Sequence, residues 1–148
     1  MEDEQSSHQH ETYRIITASY KLMQRKITEM LSEEGLTQPQ FHVLRIAARS
    51  GGTSMREMSD EMLVTPANMT GLIDRLESRG LIKRGAREGD RRARIIDLTP
   101  KGKELQETVA MKYGRFMQNA LRALTDDEQA MLSELHIKLQ KGMAQSGG

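Results

Sequence analysis

Residues 65–99 read TPANMTGLIDRLESRGLIKRGAREGDRRARIIDLT, and the order of signals in this stretch decides the fold. Thr65 before Pro66 opens a helix: the Thr hydroxyl accepts from an orphan backbone N–H, and Pro at the first helical position gives up an N–H that has no partner. Met69, Leu72, Ile73 and Leu76 then recur at i, i+3, i+4 and i+7, which commits one stripe of the helix to a core. Ala67, Asn68, Thr70, Gly71, Asp74 and Arg75 fall on the other face. Near the N-terminus those side chains are small or hydrogen-bonding, as a helix entering a major groove requires. Gly80 stands where a left-handed residue would end the helix, with Leu81 placed for the hydrophobic contact after it. Residues 81–86 and 93–98 read as two strands around a turn at Glu88, Gly89 and Asp90. From Arg79 to Arg94 seven cations stand against two carboxylates, a local excess of five in a chain whose formal net charge is +1. A cationic hairpin of this kind suits phosphates or a narrow minor groove, so duplex DNA is the expected partner.

Upstream, Ser54 and Glu57 form a capping box, followed by Met55, Met58 and Met62 on one face. That helix runs to about Leu63 before Val64 and Thr65 break it. Two helices across a short turn, then a hairpin, give a mainly α fold with a small β-wing, a winged helix-turn-helix. Another helix, opened by Thr37-Gln38-Pro39-Gln40 and carrying Phe41, Leu44, Ala47 and Ala48, ends at Gly51-Gly52 and completes the bundle.

The two ends carry a second theme. Over residues 11–34, Ile16, Tyr20, Met23, Ile27 and Met30 step by four, three, four and three, which is a seam pattern. After Thr99-Pro100 a further helix carries Leu105, Val109, Tyr113, Phe116, Ala120 and Leu124. Thr125 to Glu128 is another capping box, opening a last helix with Leu132, Leu135, Leu139 and Met143 inward. A helix of about 25 residues is about 37 Å long, more than one small lobe can cover. A second copy is the economical cover, giving a two-fold dimer through Ile16, Tyr20, Met23, Tyr113, Phe116, Leu132, Leu135 and Leu139. The alternative is a monomeric bundle appended to the winged lobe. The expected organisation is a disordered tail at 1–10, an N-terminal dimerisation helix at 11–34, a winged lobe at 35–99 and C-terminal dimerisation helices at 100–145.

Composition excludes other classes. No run approaches the ~18 apolar residues of a membrane span, and the start MEDEQSSHQHE has neither the cationic nor the apolar region of a signal peptide, so a cytoplasmic location and no membrane partner are expected. The chain has no Cys, which removes disulfides, zinc-thiolate sites and thiol nucleophiles. With no Gly-rich phosphate loop and no His-Glu motif, an enzyme is not expected, nor is a cofactor. Aromatics make up 3% of the chain, too few for the stacking platforms of single-stranded RNA binders. Of the four histidines, His8 and His10 form a His-x-His pair in the tail, while His42 and His136 lie far apart; unrelated histidines are preferred over a metal site built on His42 and carboxylates. Eleven methionines fall mostly on apolar stripes, which favours core packing over an oxidation sensor.

From Leu36 to Gly102 the chain resembles the MarR (multiple antibiotic resistance regulator) family of transcription factors. The resemblance rests on Gly89-Asp90-Arg91-Arg92-Ala93-Arg94, followed by Leu98-Thr99-Pro100-Lys101-Gly102, and on Leu76-Glu77-Ser78-Arg79-Gly80-Leu81-Ile82-Lys83-Arg84. It implies a homodimer of winged lobes on a pseudo-palindromic operator, a repressor in the expected case, often released by a small-molecule effector. It also implies that Arg92 enters the minor groove among the wing residues Arg84, Arg87, Arg91 and Arg94, with Asp90 holding the arginines by charge-assisted hydrogen bonds. Thr65, Ala67, Asn68 and Thr70 would then face base edges, while Ser54, Arg56 and Arg75 position the lobe on phosphates. A winged lobe used only for protein contact is the alternative, and Thr65, Asn68, Thr70 and the wing arginines argue against it.

Overall fold

The computed structural model describes residues 2–49, 52–87 and 90–145, with side chains described at 6–49, 52–86 and 95–145. The order is α1 (Glu2–Glu33), α2 (Gln38–Ala47), β1 (Thr53–Ser54), α3 (Met55–Met62), α4 (Pro66–Ser78), β2 (Ile82–Arg87), β3 (Asp90–Leu98), α5 (Pro100–Leu121) and α6 (Asp126–Gln145). The strands form one antiparallel sheet in the order β1-β3-β2. Two compact units are present, residues 1–110 and 111–148.

Local chemistry sets the helix starts in the first unit. Thr37 and Gln40 exchange side-chain and backbone bonds at the start of α2, and Ser54 and Glu57 do the same at α3. The Thr65 hydroxyl accepts from the Asn68 N–H at 3.3 Å, and Pro66 is the first residue of α4. Leu31 of α1, Leu44 and Ile46 of α2, Met58 of α3, Met69, Ile73 and Leu76 of α4, Ile96 of β3 and Val109 of α5 meet in one core at 0–1% exposure. Ser54 pairs with Ile95 and Thr53 with Ile96, so the start of α3 is sewn to the wing through β1.

The end of α4 is the hub of this unit. Gly80 is left-handed at φ 68°, and the Leu81 N–H bonds the Leu76 carbonyl at 3.0 Å, closing the helix as the Gly-Leu pair predicts. Arg79 donates to the Gly35 carbonyl at 2.7 Å, Thr99 Oγ1 to the Gly80 carbonyl at 2.6 Å and Lys101 Nζ to the Arg79 carbonyl at 3.0 Å. Gly102 packs so close that a Cβ there would stand 1.8 Å from the Leu81 carbonyl oxygen. The Leu-Thr-Pro-Lys-Gly run is therefore a joint that fixes the start of α5 to the end of α4 and the start of β2.

Several expectations are corrected. Residues 2–10, read as a disordered tail, belong to α1. Periodicity reports burial, and residues 6–10 have none; the helix continues on local bonds such as Thr12 Oγ1 to the His8 carbonyl at 2.8 Å and Arg14 to Glu11 at 2.7 Å. Strand β3 begins at Asp90, opposite Arg87, so Asp90 is a strand residue rather than part of the turn; Glu88 and Gly89 lie outside the described residues. The first compact unit ends inside α5 rather than at residue 99, because Gly102 and Val109 are buried in the winged lobe. Ala48 is an exposed cap residue, not part of the apolar face of α2.

Candidate nucleic-acid interface

The two faces of α4 divide cleanly. Met69, Ile73 and Leu76 have no exposure, while Thr65, Ala67, Asn68, Thr70, Asp74 and Arg75 are exposed. At the N-terminal end the hydroxyls are already oriented. Thr65 Oγ1 accepts from Asn68, which leaves its O–H to donate outward. Thr70 Oγ1 donates to the Pro66 carbonyl at 2.9 Å, which leaves its lone pairs as acceptors. The Asn68 amide faces solvent. Ser54 Oγ accepts from the Glu57 N–H at 3.2 Å and keeps its own hydrogen for an anion at the start of α3. A groove of about 470 Å³ runs between Met55, Arg56 and Asp60 of α3 and Pro66 and Thr70 of α4, with Arg56 exposed on its edge.

On the wing, β2 and β3 pair from Ile82↔Leu98 to Arg87↔Asp90, with an irregularity between Ala86 and Arg87. The side chains of Arg87, Asp90, Arg91, Arg92 and Arg94 lie outside the described residues. The remaining cations of the stretch are used within the protein. Arg79 bonds Gly35, Lys83 stands 3.9 Å from Asp97, and Arg84 donates to both Asp74 and Glu77 of α4. Arg84, expected among the wing residues that face DNA, is thus engaged by two carboxylates. Sequence reasoning missed the pairing because the partners lie seven and ten residues away. The signal was present: Asp74 and Glu77 are three apart on one helix edge, and strand alternation puts Arg84 on the face of buried Ile82.

Arg45 Nη2 donates to His42 Nε2 at 3.0 Å, and burial together with the Arg45 charge lowers the His42 pKa below the usual histidine value. Among the described residues no group of three or more His, Asp or Glu side chains is arranged to hold a metal, and no helix is long and apolar enough to cross a membrane.

None of the expected dimerisation residues is buried. Tyr20 and Met23 are 57% and 45% exposed, and Ile16 is half-buried. In the second unit, Tyr113 and Phe116 are half-buried with ring centroids 6.4 Å apart, while Leu132, Leu135 and Leu139, expected inward, are 39%, 56% and 41% exposed. No residue of α6 is buried.

A capped helix with a polar N-terminal face, a second capped helix before it and an antiparallel hairpin after it make this a winged helix-turn-helix DNA-binding protein. The sequence pattern of the MarR family matches residues 36–93. Over 122 residues the chain is 30% identical to the uncharacterized HTH-type transcriptional regulator YsmB of Bacillus subtilis, covering 82% of this chain and 84% of the relative. It is also 30% identical over 129 residues to the HTH-type transcriptional repressor MdtR of the same organism, covering 87% and 82%. The structure of a MarR family protein from Bacillus stearothermophilus superposes with a TM-score of 0.70 at 28% identity, covering 97% of this chain and 99% of that one. The chain belongs to the MarR family and is a DNA-binding transcription regulator, not an enzyme.

Proposed function

We propose that this regulator is a homodimeric repressor that reads a pseudo-palindromic duplex site, one recognition helix per half-site. The observation that carries the reading is the division of α4 between a face of zero exposure and a polar face, Thr65, Ala67, Asn68 and Thr70, that the fold leaves to solvent at the helix's N-terminal end. In this reading those four residues meet base edges, Ser54, Arg56 and Arg75 meet phosphates, and Arg87, Arg91, Arg92 and Arg94 carry the wing, with Arg92 in the minor groove and Asp90 holding the arginines. The uncovered apolar residues of α1 and α6 support the dimer, and the similarity to a repressor supports the sign of regulation. Its place is the cytoplasm, with the DNA. A small-molecule effector is part of the reading: a cavity of about 520 Å³, bordered by Ala48, Lys83, Leu98, Pro100 and Lys103, is of the size that small ligands occupy.

The test is recovery of a preferred duplex from a randomised pool, then competition against its scrambled version. Asn68→Ala should lower the preferred-to-scrambled ratio by the roughly 5- to 150-fold that a lost base contact of about 1–3 kcal/mol represents. Arg75→Ala should lower both affinities alike. If Asn68→Ala leaves the ratio unchanged, the reading face is assigned wrongly.

A further inference from the structure

The recognition helix and the wing are joined by one side chain. Arg84 leaves β2 on the face that also carries Ile82, and its two terminal nitrogens donate separately, Nη1 to Glu77 and Nη2 to Asp74. The two carboxylates lie three residues apart on α4, so the fork of a single guanidinium spans one turn of the helix. Both also hold the Arg84 charge firmly, with Asp74 the larger influence. The β2 backbone behind Arg84 is fixed in turn, because Arg84 pairs in register with Ile96, which is 1% exposed. One rigid strand, one planar fork and one helix edge leave little freedom for α4 to turn against the wing.

We infer that Arg84 is a positioning residue for DNA binding: by clamping Asp74 and Glu77 it sets the angle between recognition helix and wing, so that both engage one duplex together. It is not a phosphate ligand. The inference rests on the DNA-binding function of the chain and adds a role for two acidic residues on a helix that approaches a polyanion. For phosphate contact alone Asp74 and Glu77 would be a burden; as the other half of the clamp they are required.

That contrast gives a test in sign. The Asp74→Asn/Glu77→Gln variant, measured on the preferred duplex from the randomised pool and on its scrambled version, should bind the preferred duplex more weakly although two negative charges are gone. The preferred-to-scrambled ratio should fall about fivefold, the scale of a well-formed surface ion-pair network. Arg84→Met should reproduce that fall, and adding it to the double variant should cost nothing further, because the clamp is already open. Tighter binding of both duplexes by Asp74→Asn/Glu77→Gln would overturn the inference, since a freed Arg84 would then be reaching phosphate. A salt slope about one unit lower in Arg84→Met, with the ratio unchanged, would overturn it in the same way, and so would no change at all.

A readout without DNA separates the clamp from the function it serves. The chain has no Cys, so spin labels at Gly71→Cys on α4 and Ala86→Cys on β2 are the sole thiol labels, diluted with unlabelled chain. No atom lies within 4 Å of a Cβ placed at Gly71, and Ala86 is exposed, so both sites accept a label. The distance distribution should be narrow with Arg84 present and broaden in Arg84→Met. Equal widths overturn the clamp whatever the DNA results, whereas broadening without any duplex preference in the parent would count against the function and not against the clamp.

Discussion

Leu63 is held in a conformation that its side chain does nothing to justify. It closes α3 at φ 53° and ψ 41°, in the left-handed region, and is 91% exposed. An L-residue with a Cβ is strained there by about 1–2 kcal/mol, and the exposed side chain offers no packing in return. Leu63→Gly should relieve that strain, less the ~0.5–1 kcal/mol by which glycine's freedom favours the unfolded chain, for a net gain on the order of 0.5–1 kcal/mol. A rise of about 2 °C in melting temperature is the expected reading for a chain of this size. A melting temperature at or below that of the parent would show that the turn is not strained. At this scale legibility follows sequence distance. Thr65, Ser54 and Glu57 were readable as caps because their bonds close within three residues. Leu63 carries no such signal: Leu is not a left-handed former, and the sequence places the break at Val64 and Thr65 beside it. Arg84 reads from sequence as a wing residue toward DNA because the carboxylates that engage it come from another element.

Elements were legible where apolar period and capping agreed. Helices α2, α3, α4 and α6 begin at the capping residues Thr37, Ser54, Thr65 and Thr125 that the sequence displays. The boundaries that slipped are those set by something other than period: the start of α1, which runs on local bonds, and the division within α5, which depends on what packs against its first turns. Gly102 shows the second case. Its place in the Leu-Thr-Pro-Lys-Gly run looked like a helix opening, but the reason for glycine is the Leu81 carbonyl against its α-carbon. Gly102→Ala would set a methyl 1.8 Å from that oxygen, a backbone atom that also accepts from the Thr99 N–H at 3.1 Å and has no free rotamer to yield. The joint must open, at a cost of about 3 kcal/mol or more, the upper end of overpacking penalties. Urea unfolding of Gly102→Ala should show a midpoint well below that of the parent. An unchanged midpoint would mean that α5 and the start of β2 slide apart freely, which the bonds from Thr99 and Lys101 oppose.

For the whole molecule the decisive quantity is the apolar surface that one chain leaves uncovered. In α6, Leu132, Leu135, Leu139 and Met143 step by three, four and four, yet all four are 39–60% exposed and no residue of the helix is buried. Tyr13, Tyr20, Leu22 and Met23 of α1 are 45–73% exposed as well. A helix is held mostly by burial of its apolar face, so a monomer would leave α6 with little beyond its Thr125-Glu128 cap. Covering a large aliphatic side chain is worth about 1.5–3 kcal/mol, roughly half of which remains available at these exposures. Two copies each contributing the α6 and α1 residues therefore reach the upper part of the roughly 4–15 kcal/mol that association costs or pass it, whereas α6 pairs alone are marginal. Sedimentation of the parent should show a dimer at micromolar concentration without DNA. Leu135→Glu/Leu139→Glu should shift it to monomer, and the monomer's affinity for the preferred duplex should fall by far more than its affinity for a single half-site, because only a dimer holds two recognition helices on one duplex. A parent that sediments as a folded monomer at micromolar concentration would leave the leucines of α6 without a partner and sink the two-fold arrangement. Dissociation of the variant with full-site affinity intact would instead assign operator recognition to a single winged lobe.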